Sequence, residues 1–443
     1  MNGTQAMTTR RHDLAAIAFA TLVVFATTQG PVISLWMRST TPWDAPNVST
    51  AITATFLAIG AVATGLLCRE QHAWTRLDSV RTRLVVAFVA VVSLSTLWST
   101  SRSTTFTSAA GIASMVVCAA WLQLRLTTRQ QVAAVFVAMQ LGLAASVFAL
   151  WRVWPGSKDI DKYWAGIYYN PNSLAPVAAF SIMSGTYLAW WAISGLIRSE
   201  RTPLTAVPLV LFVALSHVVA YRMLSNADSA TWTLVLGVVA VVVAVVWALK
   251  WRGLQGHHIA GVFIGAGLGL AAISRSLSTS LSEWTGRGED VSGRTTIWQI
   301  AFDGWKERPV AGWGFNAAWL DPTFRVPLQV DPTLAATIYS AHNGFLEVLL
   351  GTGPVGLLLL AGAMLPMLFV LGTQFCADRR ASSWPLAVIT ATFIANLAET
   401  FIAPNHFLWL LLAAAILTPQ DGPGRPAHEL PAGVDDPEVA ATQ

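Results

Sequence analysis

The sequence predicts an all-α polytopic membrane protein of about 12 transmembrane helices, with a long extracytoplasmic loop containing short amphipathic helices. Three observations predict it. Charged residues are only 11% of 443 residues, against about 25% in soluble domains, so most of the surface does not face water. Apolar runs of spanning length recur along the chain, and a helix needs ~20 such residues to cross ~30 Å of hydrocarbon. Twenty Trp residues are present, several at the ends of those runs (Trp36, Trp98, Trp151, Trp247, Trp251), where indole favours the headgroup region.

The runs fall at 13–37, 48–67, 82–99, 105–123, 130–151, 171–196, 204–224, 230–249, 258–274, 344–371, 384–402 and 405–418. Their length argues for helices. Barrel strands would be about ten residues with strict alternation, and Leu234–Val246 does not alternate. The first run, after Arg10-Arg11, is too long for a signal-peptide core and lacks a small-x-small cleavage site, so it reads as the first anchor. The chain then divides into a cytoplasmic N-terminus (1–12), nine spans (13–274), the long extracytoplasmic loop (275–343), three spans (344–418) and a tail (419–443). That tail is Pro/Gly-rich without apolar periodicity, which predicts a disordered cytoplasmic segment.

Net charge is +4. In a polytopic chain that excess belongs to cytoplasmic loops rather than to nucleic-acid binding. With the N-terminus inside, fifteen Lys/Arg fall in cytoplasmic segments and six in short outer loops (Arg38, Arg102, Arg152, Lys158, Lys162, Arg222). This predicts an inner-membrane protein with both termini cytoplasmic and the 275–343 loop outside. Cys68, Cys118 and Cys376 have no metal-ligand spacing, and none lies in the long loop, which predicts neither a metal site nor an external disulfide framework.

The long loop carries six Lys/Arg against seven Asp/Glu, so it is not a general basic patch, and anion binding there needs particular arginines. Residues 297, 298, 301, 302 and 305 share one helical face, with Ser292 as the N-cap and Pro309 as the stop. The start of this amphipathic helix sets free backbone N–H groups beside Arg294, a phosphate site in principle; the alternative is a structural surface helix with a solvated Arg. His342, the sole His of the loop, sits at the mouth of the next span. It suits a general base or, alternatively, a capping group. Glu347 is five residues on, roughly 140° around a helix, and is not an obvious partner.

Taken together, Ser-Gly-Arg-Thr-Thr-Ile-Trp (292–298), Arg-Pro-Val-Ala-Gly-Trp-Gly-Phe (308–315) and Ala-His-Asn-Gly-Phe-Leu-Glu (341–347) through Gly356 resemble the O-antigen ligase and polymerase superfamily. Leu97-Trp98-Ser99 and Tyr169-Asn170-Pro171-Asn172-Ser173-Leu174 are similar to its upstream segments. The resemblance implies a C-type glycosyltransferase-like fold. It also implies transfer of a glycan from a polyprenyl diphosphate carrier to a glycan or glycolipid acceptor hydroxyl outside the membrane, with no metal or other cofactor. On that resemblance His342 would deprotonate the acceptor and Arg294 would hold the diphosphate, with Arg287, Arg275 and Arg222 as further candidates. The chain departs from the pattern at Asp228, which falls where relatives carry an arginine. The same motifs serve ligases and polymerases, which differ in their acceptor. The rival reading is a polytopic transporter or lipid-glycan flippase, for which Glu399 and Asn396 in the eleventh span and His217 in the seventh are the ionisable or polar candidates. A third reading is a non-catalytic assembly subunit of a cell-wall complex.

Overall fold

The structure, a computed structural model, describes residues 3–36, 50–70, 73–154, 157–158, 162–252, 258, 261, 265, 290–325, 338–377 and 379–418. Over these the chain is helical, and no ladder of strands is present. The helices are α1 (Gly3–Thr27), α2 (Gly30–Trp36), α3 (Thr50–Leu67), α4 (Ala73–Leu77), α5 (Val80–Leu94), α6 (Arg102–Arg125) and α7 (Thr128–Trp151). They continue with α8 (Pro171–Ile197), α9 (Pro203–Ala227), α10 (Ala230–Trp251), α11 (Asp290–Glu307), α12 (Gly344–Ala377), α13 (Arg379–Asn396) and α14 (Phe407–Ile416). Seven of these, α5 (with the turn that follows it), α6 to α10 and the first part of α12, contain stretches long and apolar enough to cross a membrane. Asp13–Thr27, Ile52–Leu67 and Phe407–Ile416 are shorter apolar helices. The expected span at 258–274, the loop residues 275–289 and the 419–443 tail lie outside the described residues, apart from positions 258, 261 and 265.

Several boundaries differ from the sequence expectation. The first run is not one helix: Gln29 adopts a left-handed φ of 71°, and Pro31, fit for a first turn, restarts the chain as α2. The helical backbone also begins at Gly3, inside the segment expected to precede the first span. α11 starts at Asp290 rather than after a Ser292 cap. Its apolar face is split as well: Ile297 and Ala301 are buried while Phe302 is exposed. The eleventh run stops being helical at Asn396, because the Asn396 side-chain oxygen accepts the main-chain N–H groups of Phe401 (2.9 Å) and Ile402 (3.0 Å).

α14 accounts for the shortest apolar run. All ten of its residues are buried, so it is apolar all round and enclosed by other helices. At ~15 Å it covers about half the hydrocarbon thickness, and both ends need polar partners. His406 Nδ1 accepts the Leu408 N–H at one end. At the other, Arg81, itself buried, donates to the Thr418 carbonyl at 3.0 Å and touches the Met367 sulfur.

Contacts sort the connections onto two ends of the bundle. At one end, Trp98 Nε1 donates to Ala311 O (2.8 Å), Ser34 Oγ to Ile167 O (2.9 Å) and Trp164 N to Asn226 O (2.9 Å). Trp232 of α10 meets Phe401 there, ring centroids 5.5 Å apart. At the other, Arg125 approaches Glu70 at 3.8 Å and Gln123 donates to Ala414 O at 2.6 Å. The segments tied together at the first end are ones expected on the extracytoplasmic side.

Candidate functional site

α12 is interrupted at Gly353, whose φ of 67° and ψ of −170° are not helical. Pro354 has no N–H to give the Leu350 carbonyl four residues earlier, and the interruption also frees Gly351 O. Both carbonyls are taken by the loop: Trp313 N donates to Leu350 O (2.9 Å) and Gly314 N to Gly351 O (3.0 Å). A Cβ on Gly353 would sit 2.0 Å from Val310 O. The Gly-Trp-Gly-Phe turn and the Gly-Thr-Gly-Pro segment, similar to family motifs separately, are thus two halves of one joint. Ser95, Trp98 and Thr105 close it from the α5–α6 connection, through bonds to Phe315 N (3.1 Å), Ala311 O (2.8 Å) and Phe315 O (2.9 Å).

On this joint rests a small apolar cluster separate from the main core, including Ile297, Ala301, Trp313, Trp319, Phe324, Ala341 and Leu350. Ile297 lies one helical turn after Arg294, and Ala341 immediately precedes His342. The fold therefore brings the 292–298 and 341–347 segments into one cluster. The side chain of Arg294 lies outside what the structure describes, as do residues Arg275 and Arg287. Arg222 is exposed on α9, where its carbonyl accepts the Asn226 amide at 2.8 Å.

His342 stands at the entrance to α12 in the left-handed region, φ 45°, sparsely populated by residues with a side chain and a little more often by His. Three groups hold it there. Asn343 caps the helix, its Oδ1 accepting Phe345 N (3.1 Å) and Leu346 N (3.0 Å). The buried Glu347 accepts the Ala341 N–H at 2.8 Å and the Trp319 indole N–H at 3.0 Å. Gly344 N donates to Glu399 O at 3.1 Å, an approach so close that a Cβ on Gly344 would lie 1.9 Å from Asn396 Oδ1. Glu347 thus spends its hydrogen bonds on Trp319 and on the peptide before His342.

The partner of the imidazole is Glu399. His342 Nδ1 lies 3.0 Å from Glu399 Oε2, with the two side chains 35% and 12% exposed. With Glu399 as a carboxylate acceptor, the tautomer of a neutral imidazole that satisfies this bond has its proton on Nδ1 and its lone pair on Nε2. The histidine is accessible and its carboxylate is mostly covered, the arrangement that orients a general base. Among the described residues no group of three or more His, Cys, Asp or Glu side chains could hold a metal ion.

Two other residues lie at helix ends, and for Glu399 this corrects the expected position. Asp228 terminates α9 in the left-handed conformation, φ 50° and ψ 41°, which Asp tolerates better than most residues; position 228 is a helix stop. Glu399 lies beyond the end of α13 rather than within an eleventh span. The remaining transporter candidates have local partners: Asn396 Nδ2 donates to Thr392 O (2.7 Å), and His217 bonds Val213 O (2.8 Å) and Thr186 Oγ1 (3.0 Å).

Fold and site together define a polytopic helical membrane protein with a histidine–carboxylate pair among the connections at one end. Residues 219–361 match the family model described as O-antigen ligase. This match covers about a third of the chain, from α9 to the middle of α12, and supports the resemblance to the O-antigen ligase and polymerase superfamily. It contains Arg222, Arg275, Arg287, Arg294 and His342; Glu399 lies beyond it. No curated protein matches the chain.

Proposed function

We propose that this protein is an O-antigen ligase/polymerase-like glycosyltransferase of cell-surface polysaccharide biosynthesis. It moves a glycan from a polyprenyl diphosphate carrier to the hydroxyl of a glycan or glycolipid acceptor at the outer face of the cytoplasmic membrane. The observation that carries this reading is that His342, within the segment cluster that resembles the family, pairs with Glu399 at 3.0 Å. His342 Nε2 removes the acceptor proton as the acceptor oxygen bonds to the anomeric carbon. The bond from that carbon to the carrier diphosphate breaks, and the diphosphate leaves with the bonding electron pair. Glu399 stabilises the imidazolium as it forms. Arg294, with Arg287, Arg275 and Arg222 as further candidates, holds the diphosphate and offsets its growing charge, with no metal or other cofactor required.

In this reading the chain crosses the inner membrane twelve times with both termini in the cytoplasm, and 275–343 is the extracytoplasmic catalytic loop. The sorting of connections onto two ends supports it, as does the fifteen-to-six bias of Lys/Arg. The test is transfer in membranes supplied with lipid-linked glycan. His342→Ala abolishes transfer and lets the glycan accumulate on its carrier; near-normal transfer by that variant would refute the assignment.

A further inference from the structure

At the end of the bundle away from His342, α8 finishes beside the starts of α7 and α9. There Trp191 of α8 lies between two arginines. The guanidinium carbon of Arg129, second residue of α7, is 3.4 Å from the ring centroid, and that of Arg201, just before α9, is 3.2 Å from it. Two planar groups that close to one centroid cannot share a face, so the indole separates two stacked cations. The stem of Arg201 is laid over Gly195, where a Cβ would lie 2.8 Å from Arg201 Cδ. The glycine makes room for this placement.

Charge here is not balanced. Among the described residues, Glu200 is the carboxylate that acts on Arg201, and it also lies 4.0 Å from Arg198. Arg129, Arg198 and Arg201 therefore outnumber their acid. The Thr127–Gln130 capping box closes the start of α7, whereas Thr202, at the start of α9, makes no side-chain cap bond, so the positive partial charge of that helix start is less offset. The corner also faces the membrane surface. Trp190 packs on Trp247 of α10 and on Tyr187, with centroids 5.5 and 5.8 Å apart, and Trp and Tyr favour the headgroup level.

We infer that Arg129 and Arg201, held on either side of Trp191, form a binding site for the phosphate of an anionic phospholipid headgroup in the leaflet at this end of the bundle. The indole pre-organises both guanidinium groups, and each keeps N–H donors at its rim for phosphate oxygens. The lipid tails would lie along the exposed apolar surface of α9, which includes Leu204, Val207 and Leu211. This site is independent of the chemistry at His342.

The full-length protein in nonionic detergent can be titrated with phosphatidylglycerol or phosphatidylcholine and bound lipid counted by native mass spectrometry. Phosphatidylglycerol is expected to bind about tenfold more tightly. R201Q should lose part of that preference, R129Q/R201Q nearly all of it, and R129K/R201K, which keeps the charges without the stacked guanidinium forks, should keep only part of it. Equal preference in wild type and R129Q/R201Q would overturn the site. Displacement of phosphatidylglycerol by equimolar inorganic phosphate would overturn the lipid as its ligand.

Discussion

Where His342 sits, the carboxylates Glu347 and Glu399 meet a main-chain amide, an indole N–H and an imidazole. At the opposite end, Arg81, Arg129 and Arg201 meet a thioether, a carbonyl and the faces of an indole. Most of these partners are neutral, although Glu200 also acts on Arg201. Carboxylates with neutral partners can hold an imidazole and welcome its positive charge when it takes a proton. Arginines laid on aromatic surface keep their charge for an anion. The difference teaches that each end holds charge of one sign beside mostly neutral partners, which suits the proposed reactant at one end and the proposed lipid at the other.

Substitutions can break this comparison, beginning with the strongest. His342→Ala should lower transfer by ~10²–10⁴, the usual contribution of a positioned base, measured as turnover with lipid-linked glycan. Glu399→Gln keeps the shape but removes the charge-assisted bond. At ~1.5–3 kcal/mol for such a bond, kcat should fall about ten- to hundredfold with KM little changed; an equal change in both would instead mean that Glu399 binds substrate.

Two changes probe the supports of His342. Gly353→Ala places a side chain in a conformation almost confined to glycine, at a cost of about 1–3 kcal/mol, and should lower both melting temperature and activity because the loop joint is lost. Glu347→Gln replaces one carboxylate oxygen with an amide NH2 that faces the Trp319 indole N–H, so a buried donor goes unmet at about 1–3 kcal/mol. Removing the indole donor with Trp319→Phe should shrink that cost, and an unchanged cost in the Phe background would show that Glu347 acts otherwise. The smallest effect belongs to the exposed Arg83–Asp78 pair, 2.8 Å apart. Its hydrogen bond to Arg83 holds the Asp78 carboxyl below its ordinary value. Any stabilisation is therefore present above the unfolded carboxyl pKa and lost as pH falls through the lower folded one. At neutral pH Arg83→Gln should leave the melting temperature within experimental scatter.

Much of the architecture was legible in the sequence because apolar runs in a membrane leave few alternatives to helices. Eleven of the twelve predicted runs coincide with described helices. His342 stood out as the loop's lone imidazole. Its partner did not, because Glu399 is 57 positions away and its run looked helical throughout; only the Asn396 side chain, folding back onto 401 and 402, turns it toward His342. The helical wheel made Glu347 no obvious partner of His342 but says nothing of a carboxylate that reaches a main-chain amide outside the helix. The break at Gly353 had a readable cause in Gly-Thr-Gly-Pro, whereas the segment that fills it is distant in sequence. Asp228, the departure from the family arginine, stands at the left-handed end of α9, a local feature that the motif comparison does not reveal.

The central claim is that His342 and Glu399 act as one unit, and a double-mutant cycle on single-turnover glycan transfer tests it most directly. The account predicts that His342→Ala/Glu399→Gln is no slower than His342→Ala alone, since a carboxylate that works through the imidazole has nothing left to orient. Fully additive losses, or a His342→Ala protein that transfers at near the wild-type rate, would contradict it.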